Sequence, residues 1–149
     1  MISIRKANFN DIEFLWYLRN QPGTYKYSRQ KQAVSWKEHV KWIMPILLEA
    51  SNKNIFIIKN LKTPIGQIRL DWMNNKEVEI SISILKEFQG KGLASKSLDL
   101  AIRQVKKEKK ISSLIATVHK ENLASRKLFE KLNFQLKEKN QWLKYTLKL

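Results

Sequence analysis

The sequence of 149 residues has no cysteine, two histidines and few acidic residues. The absence of cysteine excludes disulfides, thiolate metal sites and cysteine nucleophiles. Because His39 and His119 are the only imidazoles, a zinc site would need carboxylate ligands, and we expect no metal. The longest apolar run, residues 42–48, is far shorter than the ~20 residues of a membrane span. The first residues also lack the hydrophobic core of a signal peptide. We therefore expect a soluble, cytoplasmic protein without a membrane partner.

The shortage of acidic residues leaves 29 Lys and Arg against 13 Asp and Glu, a formal net charge of +16. Such a surplus attracts anionic partners. Only 6 of the 29 cations are Arg, however, which is the residue favoured for bidentate recognition of phosphates and base edges. The cations are also scattered from Lys6 to Lys148. We interpret the charge as a solvated surface and do not expect a nucleic-acid partner, although a non-catalytic nucleic-acid-binding protein stays an alternative.

The length and the absence of repeats and linkers predict one domain, residues 1–149. Apolar periodicity predicts strands at residues 2–5, 54–59, 65–72, 78–84 and 113–118, and two closing strands within 134–149. It predicts helices after Asn10 and after Ser35, and over residues 94–105 and 123–132. This order indicates an α/β (α+β) fold, in which a mostly antiparallel mixed sheet of about seven strands is flanked by about four helices.

Local signals place the first two helices more closely. Asn10–Glu13 and Ser35–Glu38 both have the pattern of a capping box. Pro45 lies inside the second helical pattern and is expected to kink or break it. Three tryptophans fall on apolar helix faces and are expected to fill the core: Trp16, Trp36 and Trp42.

Two of the four glycines lie in the segment Gln89–Ala94, which follows a predicted strand and opens a helix. Gly90 and Gly92 permit positive φ angles and close approach of a ligand. The unpaired amides of the first helical turn then offer a site for a pyrophosphate. Ser95 stands where a Walker A motif and a dinucleotide fingerprint each need a glycine, which disfavours both. An ordinary glycine turn before a helix stays open on these six residues alone.

The pattern Gln89-x-x-Gly92-x-Ala94 resembles the Q/R-x-x-G-x-G/A signature of the GNAT superfamily of acetyl-CoA-dependent N-acetyltransferases. Downstream, residues 118–134 resemble the second cofactor segment of that superfamily, a strand followed by N-x-x-A-x-x-L-Y-x-x-x-G-F. The strand order is similar as well, so the resemblance covers nearly the whole chain. It implies a GNAT-like fold and acetyl-CoA as cosubstrate.

The resemblance also implies which residues contact the cofactor. Backbone groups of Ile82, Ile84 and Leu85, on a strand that splays from its neighbour, would pair with the pantetheine amides. Asn122 would contact the pantetheine arm, and Arg126 or Lys127 would reach the adenosine phosphates. The amides expected to hold the pyrophosphate are those of Gln89, Gly90, Lys91, Gly92, Leu93 and Ala94.

The sequence departs from the superfamily pattern at two positions. The tyrosine that protonates the leaving thiolate in many members falls at Phe129, which has no acidic proton, so another group or water must act or the thiolate leaves unaided. The glycine of the G-F pair falls at Asn133, which tolerates the left-handed conformation at a helix end.

On the acceptor side, the resemblance implies that Glu79 is the base that takes a proton from the amine, directly or through water. A solvent-facing strand carboxylate paired with a lysine is the alternative. His39 is a candidate for orienting the acceptor or relaying a proton, the alternative being an imidazole on a helix surface. His119 is expected to pack. Four residues flank a loop that covers the acceptor site in this fold and are candidates for binding substrate: Arg19, Tyr25, Tyr27 and Arg29.

Within the superfamily, residues 18–22 and 35–43 are similar to the acetyltransferases of pseudaminic acid biosynthesis, which acetylate the 4-amino group of a UDP-linked sugar. A basic protein attracts a nucleotide diphosphate and repels a polyamine or a basic peptide. We therefore expect a small-molecule amine, a nucleotide-linked amino sugar, as the acceptor. The alternatives are a protein N-terminal acetyltransferase of the ribosomal-protein type, an aminoglycoside acetyltransferase, or an acyl-CoA-binding protein without catalysis. A monomer and a homodimer are both compatible with the sequence.

Overall fold

The computed structural model describes residues 1–108 and 110–149, and within them seven strands and five helices. The strands are β1 (Ile2–Lys6), β2 (Lys53–Asn60), β3 (Thr63–Trp72), β4 (Glu77–Ile84), β5 (Ser113–His119), β6 (Gln135–Lys139) and β7 (Trp142–Lys148). The helices are α1 (Ile12–Arg19), α2 (Pro22–Tyr25), α3 (Trp36–Leu47), α4 (Leu93–Glu108) and α5 (Leu123–Lys131). Short 3₁₀ turns occupy Phe9–Asp11 and Lys86–Phe88. The predicted α/β class is confirmed.

All seven strands form one sheet in the order β1-β2-β3-β4-β5-β7-β6. Every neighbouring pair is antiparallel except β4 and β5, which run parallel. The parallel pairing spans only three residue pairs and ends at Glu79 and Ile115. β4 nevertheless stays paired with β3 as far as Ile84. The two central strands therefore splay apart beyond Glu79, and each leaves one row of backbone groups facing the gap.

The two faces of the sheet have different surroundings. One face packs against α4 and α5 and carries the main core, which includes Ile68, Ile80, Leu98, Leu114 and Tyr145. Burial of each such side chain contributes about 1.5–3 kcal/mol, so this face holds the splayed sheet together. The other face packs against α1 and α3 over β2 through a smaller apolar cluster, and it is polar around the gap.

Three local expectations differ from the structure. The capping box forms two residues earlier than expected, because the Asn8 side chain accepts from the Asn10 amide and Asp11 accepts from the Asn8 amide. The helix that contains Pro45 continues to Leu47, since a proline in the last turn removes only one helical hydrogen bond. The region predicted as a loop between α1 and α3 contains the short helix α2.

Candidate active site

A cleft of about 390 Å³ lies at the gap between β4 and β5. Its floor is the polar face of β3, β4 and β5, and one wall is the segment Thr24–Val34. The beginning of α5 and the aromatic rings of Trp42 and Trp142 close the remaining sides. The structure thus places a concave, mixed polar and aromatic site at the point where the sheet opens.

Alternation along the strands gives the floor its polar character, because side chains two residues apart point to the same face. In the register of β3 with β4, Gln67 lies opposite Ser83. Extending the parallel register from Glu79 and Ile115 sets His119 level with Ser83 as well. The polar side chains of the floor are Gln67, Arg69, Glu79, Ser81, Ser83, Thr117 and His119.

Glu79 lies at the apex of the gap, where the pairing of β4 and β5 ends. The hydroxyl of Thr117 donates a hydrogen bond of 2.7 Å to Glu79 Oε2. Within the described residues, Glu79 forms no ion pair, so the expected alternative of a carboxylate paired with a lysine does not apply. A carboxylate that is oriented by one hydrogen bond and borders the cleft can accept a proton from a bound amine.

Two guanidinium groups that line the cleft stack on the same tryptophan. The Cζ atom of Arg19 lies 4.4 Å from the centre of the Trp42 ring, and that of Arg69 lies 5.6 Å from it. Arg69 donates to Asp71 at 2.9 Å, whereas Arg19 has no carboxylate partner among the described residues. Burial lowers the pKa of Arg19, the charge of Arg69 lowers it further, and Glu38 opposes the shift. Arg19 is therefore a partly buried cation that forms no ion pair with a described residue.

His39 does not reach the cleft, because it is fully buried beneath it. Its Nε2 lies 3.0 Å from the carbonyl oxygen of Ile12 and donates to it, which leaves Nδ1 as an acceptor 3.5 Å from a nitrogen of Arg19. Burial lowers the pKa of His39, the bond to Ile12 opposes this, and the nearby Arg19 lowers it further. The neutral ring is thus placed to position Arg19, and it is not placed to touch an acceptor.

The segment that covers the cleft is held down at several points. Trp16 Nε1 and the Asn20 amide both donate to the carbonyl of Val34, and the Val34 amide donates to Asn20. Above the cleft, the Tyr27 ring packs at 5.8 Å from the His119 ring, and the guanidinium of Arg29 lies 5.3 Å from the centre of the Trp142 ring. The four predicted substrate residues, Arg19, Tyr25, Tyr27 and Arg29, all line the cleft with Glu79.

The loop Gln89–Gly92 approaches α4 with its amides exposed. Gly90 and Gly92 have φ angles of 75° and 76°, as expected for glycines in a tight turn. In the described part of the chain, no group accepts a hydrogen bond from the amides of residues 90–95. The Gln89 side chain fixes the loop by donating to the Ile84 carbonyl at 2.8 Å. A run of unpaired amides at the N-terminus of a helix of 16 residues fits a pyrophosphate.

The remaining predicted cofactor residues occupy different places. Ile82 and Asn122 line the cleft, and Asn122 also caps α5 by accepting from the Ser125 amide at 3.2 Å. Ile84 and Leu85 are buried at the end of β4. Arg126 donates to the Lys120 carbonyl at 3.1 Å, and Lys127 is exposed; neither lines the cleft.

The two positions that depart from the superfamily pattern lie on α5 and directly after it. Phe129, at the position of the superfamily's tyrosine, lines the cleft and packs edge-on against Phe134. Asn133 has a φ angle of 70°, so the predicted left-handed turn after α5 is confirmed.

The structure adds site residues that the sequence did not indicate, namely Trp42, Gln67, Arg69, Thr117, His119 and Trp142. Trp42 was expected in the core but borders the cleft, and Trp36 is 45% exposed on the surface of α3. Gln67 and Arg69 alternate with apolar residues along β3, a signal that would have placed them on the same face as Glu79.

The described residues contain neither a cluster suited to a metal ion nor a helix suited to crossing a membrane. No group of three or more His, Asp or Glu side chains in residues 1–108 and 110–149 is arranged to hold a metal ion. In the same residues, none of the helices has the length and apolar character needed to cross a bilayer.

The splayed sheet, the amide loop before a long helix and the cleft at the gap define an acyl-transfer domain. The family model described as "Acetyltransferase (GNAT) domain" matches residues 2–135. The chain belongs to this family and is an acetyl-CoA-dependent N-acetyltransferase. None of the curated protein sequences compared with the chain matches it.

Solved structures share this fold across their whole length. A domain from Methanocaldococcus jannaschii DSM 2661 is 28% identical, with a TM-score of 0.87, and the match covers 100% of this chain and 99% of that one. The spermidine N-acetyltransferase of Vibrio cholerae, in complex with CoA and spermine, is 19% identical, with a TM-score of 0.88 and coverage of 99% and 95%. An acetyltransferase from Salmonella typhimurium that modifies the N-terminal serine of ribosomal protein L7/L12 is 18% identical, with a TM-score of 0.84 and coverage of 99% and 95%.

Proposed function

We propose that this N-acetyltransferase acetylates the primary amine of a nucleotide-linked amino sugar by direct attack on the thioester of acetyl-CoA. The observation that carries the proposal is the charge of the cleft. Three arginines, Arg19, Arg29 and Arg69, line it within the described residues, against the single carboxylate of Glu79. Only Arg69 of the three has a carboxylate partner among those residues. An acceptor that carries a diphosphate beside its amine would supply the missing negative charge.

The charge also argues against polycationic acceptors. The Vibrio cholerae relative is a spermidine acetyltransferase in complex with spermine, but at 19% identity its likeness supports the fold alone. A polyamine in this cleft would place several positive charges beside Arg19 and Arg69, and like charges without counter-ions repel strongly where water is excluded. An aminoglycoside meets the same obstacle.

We assign the donor side to backbone groups. The free amides of residues 90–95 would hold the diphosphate of coenzyme A, and the unpaired edge of β4 from Ile82 to Ile84 would pair with the pantetheine arm. Arg126 and Lys127, which lie outside the cleft, would contact the adenosine phosphates at the protein surface. Acetyl-CoA supplies the activated acetyl group.

Glu79 would act as the base of the transfer. As the new C–N bond forms and the C–S bond breaks, its carboxylate takes one proton from the amine, directly or through water. The hydroxyl of Thr117 keeps the carboxylate oriented toward the gap. His39 would be a positioning residue: it would hold the Arg19 side chain against Trp42 and would not contact the acceptor.

A panel of acceptors tests the proposal by release of free thiol from acetyl-CoA. We expect the highest kcat/KM for a UDP-linked 4-amino sugar, a much lower value for the same amino sugar without UDP, and little reaction with spermidine or an aminoglycoside. The rate with the charged acceptor should fall as salt is added, because salt screens the attraction. A preference for a peptide N-terminus would identify a protein acetyltransferase instead, and a preference for spermidine would refute the anionic acceptor.

A further inference from the structure

Two buried side-chain polar atoms lack a hydrogen-bond partner among the described residues: Nε2 of His119 and Oε1 of Gln67. Both residues line the cleft, and both lie level with Ser83 on the polar face of the sheet. An unpaired buried polar group costs about 1–3 kcal/mol, so native proteins rarely retain one without a use. Their shared location points to a ligand group in the cleft.

The tautomer of His119 is set by its neighbours. The amide of Glu121 donates to Nδ1 at 3.2 Å, so the neutral ring carries its proton on Nε2. The ring is 4% exposed and lies between Trp142, whose ring meets it edge-on at 5.1 Å, and Tyr27 at 5.8 Å. His119 therefore lines the cleft between two aromatic rings and carries an Nε2–H that no described residue accepts, although the sequence alone predicted only a packing role for it.

A hydrogen-bond donor for the leaving thiolate is missing at Phe129, the position where many members of the superfamily have a tyrosine. Phe129 lines the same cleft and is 3% exposed, but its side chain has no polar atom. His119 and Phe129 belong to one strand–turn–helix segment, in which the His119 carbonyl accepts from the Asn122 amide and Asn122 caps the helix that carries Phe129. The donor thus lies on the strand that faces the unpaired edge of β4.

We propose that the Nε2–H of His119 donates a hydrogen bond to the sulfur of coenzyme A and stabilises the thiolate as it leaves. When the amine attacks, the C–N bond forms, the electron pair of the C–S bond moves to sulfur, and the amine proton goes to Glu79. His119 keeps its own proton. Because Nδ1 accepts from the Glu121 amide, the ring is neutral, and loss of the Nε2 proton would leave it as an anion. The thiolate takes up a proton from solvent on release. This inference rests on acetyl transfer in this cleft and does not depend on the amino-sugar acceptor.

Binding of coenzyme A and of desulfo-coenzyme A, which has a hydrogen in place of the thiol, isolates the contact without an acceptor. In the wild type, coenzyme A should gain affinity over the desulfo compound as pH rises from the lowered pKa of the bound thiol to the ordinary thiol pKa of about 8.5, and the gain should level off above it. A thiol pKa lowered by about one unit on binding corresponds to a gain of about tenfold. Equal pH dependence for the two ligands would overturn the proposal.

Two variants separate the catalytic contact from a structural role. His119→Asn keeps an oxygen near Nδ1 for the Glu121 amide but loses the Nε2–H, whereas His119→Gln places an amide N–H near Nε2. We expect the Asn variant to lose the pH-dependent gain and to lower kcat on the order of 10²-fold, and the Gln variant to retain part of both. A normal Asn variant with a defective Gln variant would show that His119 only holds the turn.

The wild-type protein alone provides a second readout, which stands even if a variant fails to fold. With two histidines in the chain, the two ring N–H protons are readily distinguished by NMR. The His119 Nε2–H resonance should shift on adding coenzyme A and stay in place with the desulfo compound, while that of His39, bonded to Ile12, serves as an internal control. No shift with coenzyme A would overturn the contact. Failure of both compounds to bind would overturn the acetyl-CoA site as well.

Discussion

Replacing Arg19 by methionine tests the acceptor side of the cleft, because stability and binding should change in opposite directions. Arg19 stacks on Trp42 at 4.4 Å and has no carboxylate partner among the described residues. Burial, with the charge of Arg69 added, lowers the pKa of its guanidinium, which means that the folded protein holds this charge less favourably than water does. A methionine keeps an unbranched chain against Trp42 and removes the charge.

These contacts set the expected changes in the free energy of unfolding and in acceptor affinity. Relieving an unfavourable group in a functional site commonly raises the free energy of unfolding by about 0.5–2 kcal/mol. In a protein of this size, about 1 kcal/mol raises the melting temperature by about 3 °C. A hydrogen bond to a charged group contributes about 1.5–3 kcal/mol, so loss of the Arg19 contact should weaken acceptor binding by about 10- to 150-fold.

The assay compares thermal melting of the free protein with the Kd of a UDP-linked amino sugar measured at saturating coenzyme A. Arg103→Met is the matched control, since Arg103 lies on α4 in an exposed pair with Asp99 at 2.9 Å. Its loss should change both quantities little, because exposed pairs contribute about 0.2–1 kcal/mol. A lower melting temperature for Arg19→Met together with an unchanged Kd would refute the reasoning.

Three further changes test other parts of the molecule. Glu79→Gln should lower kcat/KM most at low pH, where little of the amine is neutral, and an unchanged pH–rate profile would count against Glu79 as the base. Gly92→Ala forces a residue with a side chain into a φ of 76°, which costs about 1–2 kcal/mol, and should weaken binding of coenzyme A about tenfold in a titration. Gly23→Ala is the control: its added Cβ meets nothing within 4 Å, and it should leave the affinity for coenzyme A unchanged. Burial is the largest single influence on the pKa of Asp11 and would raise it, but the hydrogen bonds from Arg5, the bond from the Asn8 amide and the charges of Arg5 and Lys59 together hold the pKa below its ordinary value. The resulting contribution to the free energy of unfolding is complete above the pKa of the unfolded state, about 3.9, and is lost as pH falls through the lower pKa of the folded state. Asp11→Asn should therefore reduce the dependence of the free energy of unfolding on pH in this acidic range.

The geometry of the loop that we propose for the donor was predictable from the sequence because it is local. The loop Gln89–Gly92 and the start of α4 are contiguous, and Gly90 and Gly92 mark a turn that only glycine adopts easily. The alternation of Glu79, Ser81 and Ser83 with apolar residues likewise fixed one strand of the floor. Such features need no knowledge of how distant segments meet.

The lining of the cleft that we propose for the acceptor was predictable only in part, because it combines side chains from several elements. The polar positions of β5 are interrupted by Ile115, and most of the strand is buried, so its alternation indicates the polar face less clearly than that of β4 does. Trp42 lies on an apolar helix face that predicts core, and only the packing of α3 over β2 brings its ring to Arg69 on the neighbouring strand. His39 was expected in the site for its chemistry, yet the fold buries it completely, and it does not line the cleft.

The two halves of the site also differ in what they require from the sequence. In the proposed site, backbone amides and a splayed strand edge would form the donor half, so the fold and a few glycines would be sufficient for it. The proposed acceptor half is lined by alternate side chains of β3, β4 and β5, whose intervening residues pack the core on the opposite face. A substitution such as that of Gln67 or Arg69 therefore changes the charge and shape presented to an acceptor while Ile68 and Leu70 continue to hold the strand in place. This separation is the physical reason that membership of the family establishes acetyl transfer, whereas the acceptor has to be deduced from the charges that line this particular cleft.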